Sequence, residues 1–192
     1  MQMMPSCRIR RVILAALITG IFAAEAISIR QDEPAGEKPD PWQPLAFFAG
    51  RWEGTGEGRW GHSTVEREYE FVLGGKFLFA RNKSVYPPQE KNPEGEIHTD
   101  WSMISYDTGR RTFVLRQFHD EAFVNRFVLQ DPPAAGQPLV FTTEHIENFI
   151  PGWRARETYR ILGADAFEEV FALAPPEGEF KPYVTNRFQR VP

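Results

Sequence analysis

From residue 51 onward, apolar and polar residues alternate in short runs that end at turn signals. In residues 64–73, Val65, Tyr69 and Phe71 alternate with glutamates, which is the period of a strand with one buried face. Such runs recur roughly every ten to twelve residues, and helical periodicity is almost absent. The pattern predicts strands at 51–60, 64–73, 76–86, 96–106, 111–119, 122–130, 139–147, 153–162, 166–174 and 180–191.

The predicted strands are joined mostly by short links, which favour antiparallel neighbours because a parallel crossover needs a dozen or more residues. An open sheet of this composition would leave two aromatic-rich edges that invite aggregation, whereas closure into an up-and-down barrel removes them. We therefore expect an all-β protein, with one antiparallel up-and-down β-barrel of about ten strands over residues 45–192. Since a barrel of this size exceeds what side chains fill easily, we also expect an internal cavity.

The stretch LAFFAGRWEGTGEGRWG, from Leu45 to Gly61, spaces its glycines around Trp52. Glycine in a strand permits a sharp bend and a close approach of two backbones, so Gly54 and its neighbours predict a first strand that closes the barrel. We expect Trp52 to point inward and plug one end, beside a short helical turn at 44–49. A glycine-rich phosphate loop is excluded because no helix follows the glycines.

The N-terminal residues have the features of a secretory signal peptide. Three arginines precede an apolar run at 12–24, and Ala24-Glu25-Ala26 fits a small-x-small cleavage site. We expect removal of residues 1–26, with cleavage after Ala26 and a periplasmic or secreted location. An uncleaved anchor is the alternative, although a membrane span needs about 20 apolar residues. Residues 27–44 are polar and rich in proline, which predicts a flexible tether.

Composition and charge narrow the classes of partner. The formal net charge is −4, and acidic and basic residues are mixed along the chain with no basic block. Nucleic acid is therefore not an expected partner, and no basic amphipathic helix indicates a membrane surface. The single cysteine, Cys7, lies in the predicted leader, so the mature chain would hold no disulfide and no thiolate metal site. The oligomeric state is left open.

Three segments carry a family resemblance: LAFFAGRWEGTGEG, VLGGKFLFARN and SYDTGRRTFVLRQFHDE. From Leu45 onward the chain resembles the uncharacterised bacterial DUF1579 family. It is also similar to the broader calycin-type barrels, which include lipocalins, fatty-acid-binding proteins and nitrobindin-like haem barrels. The resemblance implies that the first-strand tryptophan, Trp52, packs against an arginine of the last strand. Arg187 or Arg190 would make this cation–π contact.

The resemblance to nitrobindin-like barrels raises haem as a ligand, because those barrels bind iron through a histidine close to the C-terminus. The corresponding end of this chain reads YVTNRFQRVP and contains no histidine. We therefore expect no cofactor, with a haem barrel kept as an alternative.

The candidate ligand-binding residues are polar or aromatic side chains on the predicted strands. His119 and His145 each follow apolar residues at alternate positions, so both are expected to face the interior as polar anchors. Arg116 and Arg126 either hold a ligand carboxylate in bidentate fashion or face water. The predicted aromatic lining is completed by Trp101 and Tyr159.

Sequence motifs for chemistry are absent. No HxH or HExxH spacing predicts a metal site, and no GxSxG or SxxK motif predicts a nucleophile. Three functions therefore stay open. The first is an exported barrel that binds a small, largely apolar or carboxylate-bearing molecule. The second is a filled barrel that works as a structural or interaction module of the cell envelope. The third is a cavity enzyme with a histidine or glutamate base.

Overall fold

The computed structural model describes residues 40–131 and 136–192, and this part of the chain forms a closed antiparallel β-barrel. Consecutive strands pair along the chain, and β1 also pairs with β10, which closes the sheet. The strands are β1 (Gly50–Gly58), β2 (Gly61–Val72), β3 (Phe77–Tyr86), β4 (Glu96–Asp107), β5 (Thr112–His119), β6 (Val124–Leu129), β7 (Leu139–Glu147), β8 (Arg154–Gly163), β9 (Ala166–Ala174) and β10 (Lys181–Val191). The predicted all-β fold and its ten-stranded up-and-down topology are confirmed.

A 3-10 turn at Ala46–Phe48 precedes β1, in agreement with the predicted helical turn. The described residues begin at residue 40, within the predicted tether 27–44. Trp42 packs there, with its ring centroid 5.4 Å from that of Phe71 and 5.1 Å from that of Phe113. The packed chain thus begins before residue 45. The predicted leader 1–26, its cleavage site and residues 27–39 lie outside the described residues. Within the described ranges, no helix has the length and apolar character needed to cross a membrane.

An aromatic plug fills one end of the barrel. We use this name for the buried cluster around Trp52, which includes Phe48, Tyr69, Phe141, Tyr159, Phe167 and Phe188. The indole Nε1 of Trp52 donates to the Phe48 carbonyl at 2.7 Å, and its ring meets Phe167 edge to face at 4.8 Å. Burial of these rings supplies most of the apolar core that holds this end together.

Arg190, rather than Arg187, makes the contact with the first-strand tryptophan. Its guanidinium lies 4.1 Å from the Trp52 ring centroid and donates at 2.7 Å to two carbonyls, those of Ala49 and Phe47. The alternation of β10 sends Arg187 to the outer face, where it pairs with Glu168 at 3.2 Å. One arginine thus fixes the helical turn and the plug to the last strand.

The glycines of β1 allow the first and last strands to approach closely. A Cβ atom added to Gly54 would lie 1.9 Å from the Arg187 carbonyl oxygen, and one added to Gly58 would lie 2.4 Å from the Tyr183 carbonyl oxygen. Any side chain at these positions would enter the backbone of β10. Glycine is therefore required where the barrel closes, as the spacing around Trp52 predicts.

Candidate functional site

The barrel holds a cavity of about 340 Å³ at the end opposite the plug. This is the end at which β2 and β4 begin and β3 and β5 finish. Apolar rings surround the opening, and we call them the mouth aromatics: Trp60, Phe123, Phe149, Trp153, Phe171 and Tyr183. The cavity therefore has an aromatic entrance of the kind that binds small organic molecules.

The inner wall of the cavity is polar. Eight buried side chains with amide, carboxyl or guanidinium groups line it, one from each of eight strands, and we call them the polar floor: Arg67, Asn82, Asp100, Gln117, Asn125, Glu157, Glu169 and Asn186. They face inward because each strand keeps the alternation that places its plug residues inside. Arg67 connects the two regions, since its guanidinium lies 5.2 Å from the Phe188 ring of the plug.

Arg67 and Glu169 form an ion pair within the polar floor. The Nη2 of Arg67 donates to Oε1 of Glu169 at 3.1 Å, and the side-chain amide of Asn186 donates to the same oxygen at 2.9 Å. Burial alone would lower the pKa of Arg67, but the carboxylates of Glu169 and Asp100 outweigh it and raise that pKa. The guanidinium is therefore charged throughout the physiological range.

The floor amides turn their nitrogens toward carboxyl groups. Asn82 Nδ2 donates to Asp100 Oδ1 at 2.5 Å, and Gln117 Nε2 donates to Glu157 Oε1 at 3.3 Å. Their amide oxygens are consequently left without a partner, as is Oδ1 of Asn186. A buried polar atom without a hydrogen bond is costly, so these oxygens leave the floor with unsatisfied acceptors.

Glu157 is a buried carboxyl group of the floor whose surroundings disfavour its charged form. Burial, followed by the nearby Glu169 carboxylate, raises the pKa of Glu157 well above its usual value. Glu157 therefore keeps its proton to a higher pH than an exposed glutamate does.

We expect the Glu157→Gln variant to weaken the dependence of stability on pH. The unfolded chain releases the Glu157 proton above about pH 4.3, whereas the folded protein retains it to a higher pH. The free energy of unfolding of the wild type therefore falls as pH rises through that window. Glutamine resembles the protonated acid and does not titrate.

Urea denaturation between roughly pH 4 and pH 8 should show that Glu157→Gln gains stability relative to the wild type as pH rises. Glu53→Gln, a change at an exposed site, should show no such gain. Parallel curves for the wild type and Glu157→Gln would contradict this assignment.

Two histidines and an aspartate meet on the cavity wall between β4 and β5. His98 and Asp100 share the inner face of β4, and His119 lies opposite Asp100 in the strand register. Nδ1 of His119 lies 3.4 Å from Nε2 of His98, which is 3.8 Å from Oδ2 of Asp100. Burial, with His98 as the second cause, lowers the pKa of His119 to about 3, so its imidazole is neutral.

Of the six predicted ligand-binding residues, His119 alone lines the cavity. Its ring stacks on Phe123 at a centroid distance of 3.9 Å, which fixes its orientation. Tyr159 is inward-facing and buried, but it belongs to the plug, 5.5 Å from the Phe48 ring centroid.

The prediction that His145 faces the interior is wrong. The pairing of β6 with β7 skips Glu144, because Arg126 lies opposite His145 and Phe127 lies opposite Thr143. A β-bulge of this kind places one extra residue in β7 and exchanges inside for outside beyond it. Ile146 therefore lines the cavity, and His145 is exposed.

Arg116, Arg126 and Trp101 also lie on the outer face, contrary to their predicted role as cavity residues. Arg116 donates to the Ser105 hydroxyl at 3.1 Å, and Arg126 lies 3.6 Å from the Glu144 carboxylate. Trp101 is 61% exposed. Its misassignment has a simple cause: apolar residues of β4 were expected inside, but near the cavity the inner face of β4 is the polar one.

Sequence reasoning missed the polar floor and the histidine–aspartate cluster. Their signal is the series His98-x-Asp100-x-Ser102, in which polar residues alternate along one strand and so share a face. This series continues into buried Ile104, which identifies that face as the inner one.

The histidines that line the cavity, His98 and His119, come from β4 and β5. The last strand brings Val184 and Asn186 to the cavity and no histidine, so it does not supply the C-terminal histidine that nitrobindin-like barrels use.

Comparison with known proteins supports the fold. Neither a protein-family model nor a curated protein matches the chain. The crystal structure of Rv2717c from M. tuberculosis is similar, with a TM-score of 0.61 and 16% identity, covering 79% of this chain and 98% of that one. A de novo designed fluorescence-activating β-barrel and a redesigned β-barrel each align with a TM-score of 0.40, at 12% and 10% identity. Each alignment covers 76% of this chain, with 94% of the first barrel and 93% of the second.

Proposed function

We propose that this protein is a binding barrel for a small amphipathic molecule whose polar head donates hydrogen bonds, as a hydroxyl or an amine does. The observation that carries the proposal is the cavity of about 340 Å³ with an aromatic mouth and a floor of unpartnered oxygen atoms. The predicted leader adds the proposal that the barrel is exported. Membership of the DUF1579 or calycin-type families remains a proposal based on the resemblance.

The floor chemistry selects the polar head. The unpartnered floor atoms are mostly acceptors, namely the amide oxygens of Asn82, Gln117, Asn125 and Asn186. The unpartnered donors of the floor are Nε of Arg67 and, when protonated, the carboxyl group of Glu157. Three carboxyl groups face a single arginine, and that arginine is already paired with Glu169. Arg59, the other arginine that lines the cavity, lies at the mouth, where its guanidinium is 5.4 Å from the Trp60 ring centroid. A ligand carboxylate would add negative charge to a floor whose one arginine is already paired. This departs from the carboxylate-bearing ligand expected from Arg116 and Arg126, which lie outside.

The mouth aromatics accommodate the apolar part of the ligand. The ring centroids of Phe123 and Phe149 are 5.6 Å apart, and Trp153 lies 6.1 Å from Phe149. Their rings form a continuous apolar surface above the polar floor. Burial of an alkyl or ring system against them would contribute about 25 cal/mol per Å² of apolar area removed from water.

A headgroup series on one alkyl chain tests this function. Decylamine, 1-decanol and decanoate would be titrated into the purified full chain, with affinity measured by calorimetry. We expect the amine or the alcohol to bind about 10-fold or more tightly than the carboxylate, a difference of about 1.4 kcal/mol. The preferred head identifies the class of donor. Decanoate binding most tightly, or none of the three binding, would refute the proposal.

Two tryptophan variants locate the binding site. Trp153→Ala removes a mouth aromatic and should weaken the preferred ligand, whereas Trp101→Ala removes a tryptophan from the outer face and should leave affinity unchanged. Equal losses in both variants would place binding outside the cavity.

A cavity enzyme is the second candidate, favoured by one observation. The raised pKa of Glu157 keeps a carboxylic acid in an enclosed site, which is a common property of catalytic acids. Conversion of a co-purified ligand by the wild type but not by Glu157→Gln, with binding retained, would favour this candidate over simple binding.

A further inference from the structure

We propose that His98, Asp100 and His119 form a binding site for a divalent transition-metal ion of the zinc class, on the cavity wall between β4 and β5. This proposal does not depend on the organic ligand proposed above. Two imidazole nitrogens and one carboxylate oxygen are a donor set that Zn²⁺ uses in proteins, with a further position left open for water or substrate.

The distances match the size of a metal ion. His98, Asp100 and His119 each offer one ligand atom, and these three atoms all lie within 4.8 Å of one another. The two nitrogens are 3.4 Å apart, and the His98 nitrogen is 3.8 Å from Asp100 Oδ2. A tetrahedral ion with ligands about 2.0–2.1 Å away separates neighbouring ligand atoms by roughly 3.3–3.5 Å. The three groups therefore need only small movements to enclose an ion.

The ring nitrogen of His98 that faces away from the cluster has a carboxylate partner. Nδ1 of His98 lies 2.9 Å from Oε1 of Glu121 and 3.4 Å from Oδ1 of Asp120. A carboxylate at this position keeps the proton on Nδ1 and directs the Nε2 lone pair into the cluster. Carboxylate–histidine–metal arrangements of this kind orient the ligand and increase its basicity.

The other two groups are held in a comparable way. Oδ1 of Asp100 accepts from Asn82 at 2.5 Å, which leaves Oδ2 directed at the cluster. Nε2 of His119 lies 3.1 Å from the side-chain amide of Asn125, whose Oδ1 is buried and unpartnered. A half-turn of that amide would give the His119 Nε2 proton an acceptor and leave its Nδ1 free to bind a metal. The stack on Phe123 holds the ring in place for this.

A second possible set, Glu96, His98 and Glu121, is the weaker candidate. Glu96 and Glu121 are exposed, and this set would use as a ligand the Glu121 carboxylate that already orients His98. The inner set has a buried aspartate and opens directly into the cavity. An ion there would present its open coordination position to the bound molecule.

Zinc binding to the purified full chain tests the proposal, without any organic ligand present. The protein would be stripped with EDTA, titrated with Zn²⁺ by calorimetry, and titrated with Co²⁺ to record its visible absorption bands. We expect one ion per chain and the bands of low-coordinate Co²⁺. His119→Gln, His98→Ala and Asp100→Asn should each weaken zinc binding by more than about 100-fold, which exceeds the loss expected from an outer partner.

Two further variants distinguish this site from nonspecific binding. Glu121→Gln removes the partner of His98 and should weaken zinc binding by about 10–100-fold. His145→Ala removes an exposed imidazole from the outer face and should have no effect. Circular dichroism of each apo variant shows whether it is folded, and only folded variants count as losses of a ligand. Absence of zinc binding, equal affinity in the wild type and the inner-set variants, or loss of binding in His145→Ala would overturn the proposal.

Discussion

Replacing Arg67 by methionine should lower the free energy of unfolding by about 3–5 kcal/mol, the usual range for removing one partner of a buried ion pair. The change leaves Glu169 inside the barrel without its cation, while Asn186 still donates to the same oxygen. The variant also makes the net charge of the floor, which includes Asp100, more negative. Thermal and urea unfolding of the variant would measure the loss.

The origin of this loss can be separated from a loss of packing. Adding Glu169→Gln to the Arg67→Met variant removes the unpaired charge and should restore a substantial part of the stability. Arg81→Met provides the matched control, because Arg81 makes an exposed ion pair with Glu68 at 3.5 Å and such pairs contribute only about 0–1 kcal/mol. If the double variant were as unstable as Arg67→Met, the charge explanation would be wrong.

Replacing Gly54 by alanine should destabilise the protein by about 3 kcal/mol or more, at or above the upper end of the usual overpacking range. The added methyl group would lie 1.9 Å from the Arg187 carbonyl oxygen and 3.0 Å from the Phe188 Cα. Backbone atoms cannot move aside as a flexible side chain does. Relief would require β1 and β10 to separate at the position where the barrel closes.

Gly163→Ala is the control for this effect, since a Cβ atom there would meet nothing within 4 Å. We expect it to change the melting temperature little. The near-ultraviolet circular dichroism spectrum of Gly54→Ala should also differ from that of the wild type, because Trp52 lies two residues away in the plug. A Gly54→Ala protein with wild-type stability would show that the two strands do not need their close approach.

The strands could be predicted because each run alternates clearly and ends at a turn signal, and all ten were found close to their expected limits. The glycines around Trp52 were equally informative, since glycine spacing reports close backbone approach. The inner and outer faces were harder to assign. Alternation identifies two faces of a strand, but apolar character marks the inner one only where the interior is apolar, as it is around Tyr69.

Most of the site could not be predicted from the sequence, for two physical reasons. In the cavity half the interior is polar, so the prediction that the apolar ring of Trp101 faces inward is wrong. The bulge at Glu144 adds one residue to β7, so the residues beyond it face the side opposite to the one that alternation predicts. The hydrophobic pattern around His145 does not reveal this change. His119 lines the cavity as predicted, because the pairing of β5 with β4 has no register shift between the plug and the cavity.

The pairing of β1 with β10 also sets the order of events during synthesis. Arg190 donates to Ala49 and Phe47, more than 140 residues earlier in the chain, so the closing contacts join the two ends of the domain. A ribosome must release the last strand before these contacts can form, and until then the first strand has one neighbour instead of two. Contacts of such long sequence separation slow folding. The barrel therefore cannot close until the last strand has left the ribosome.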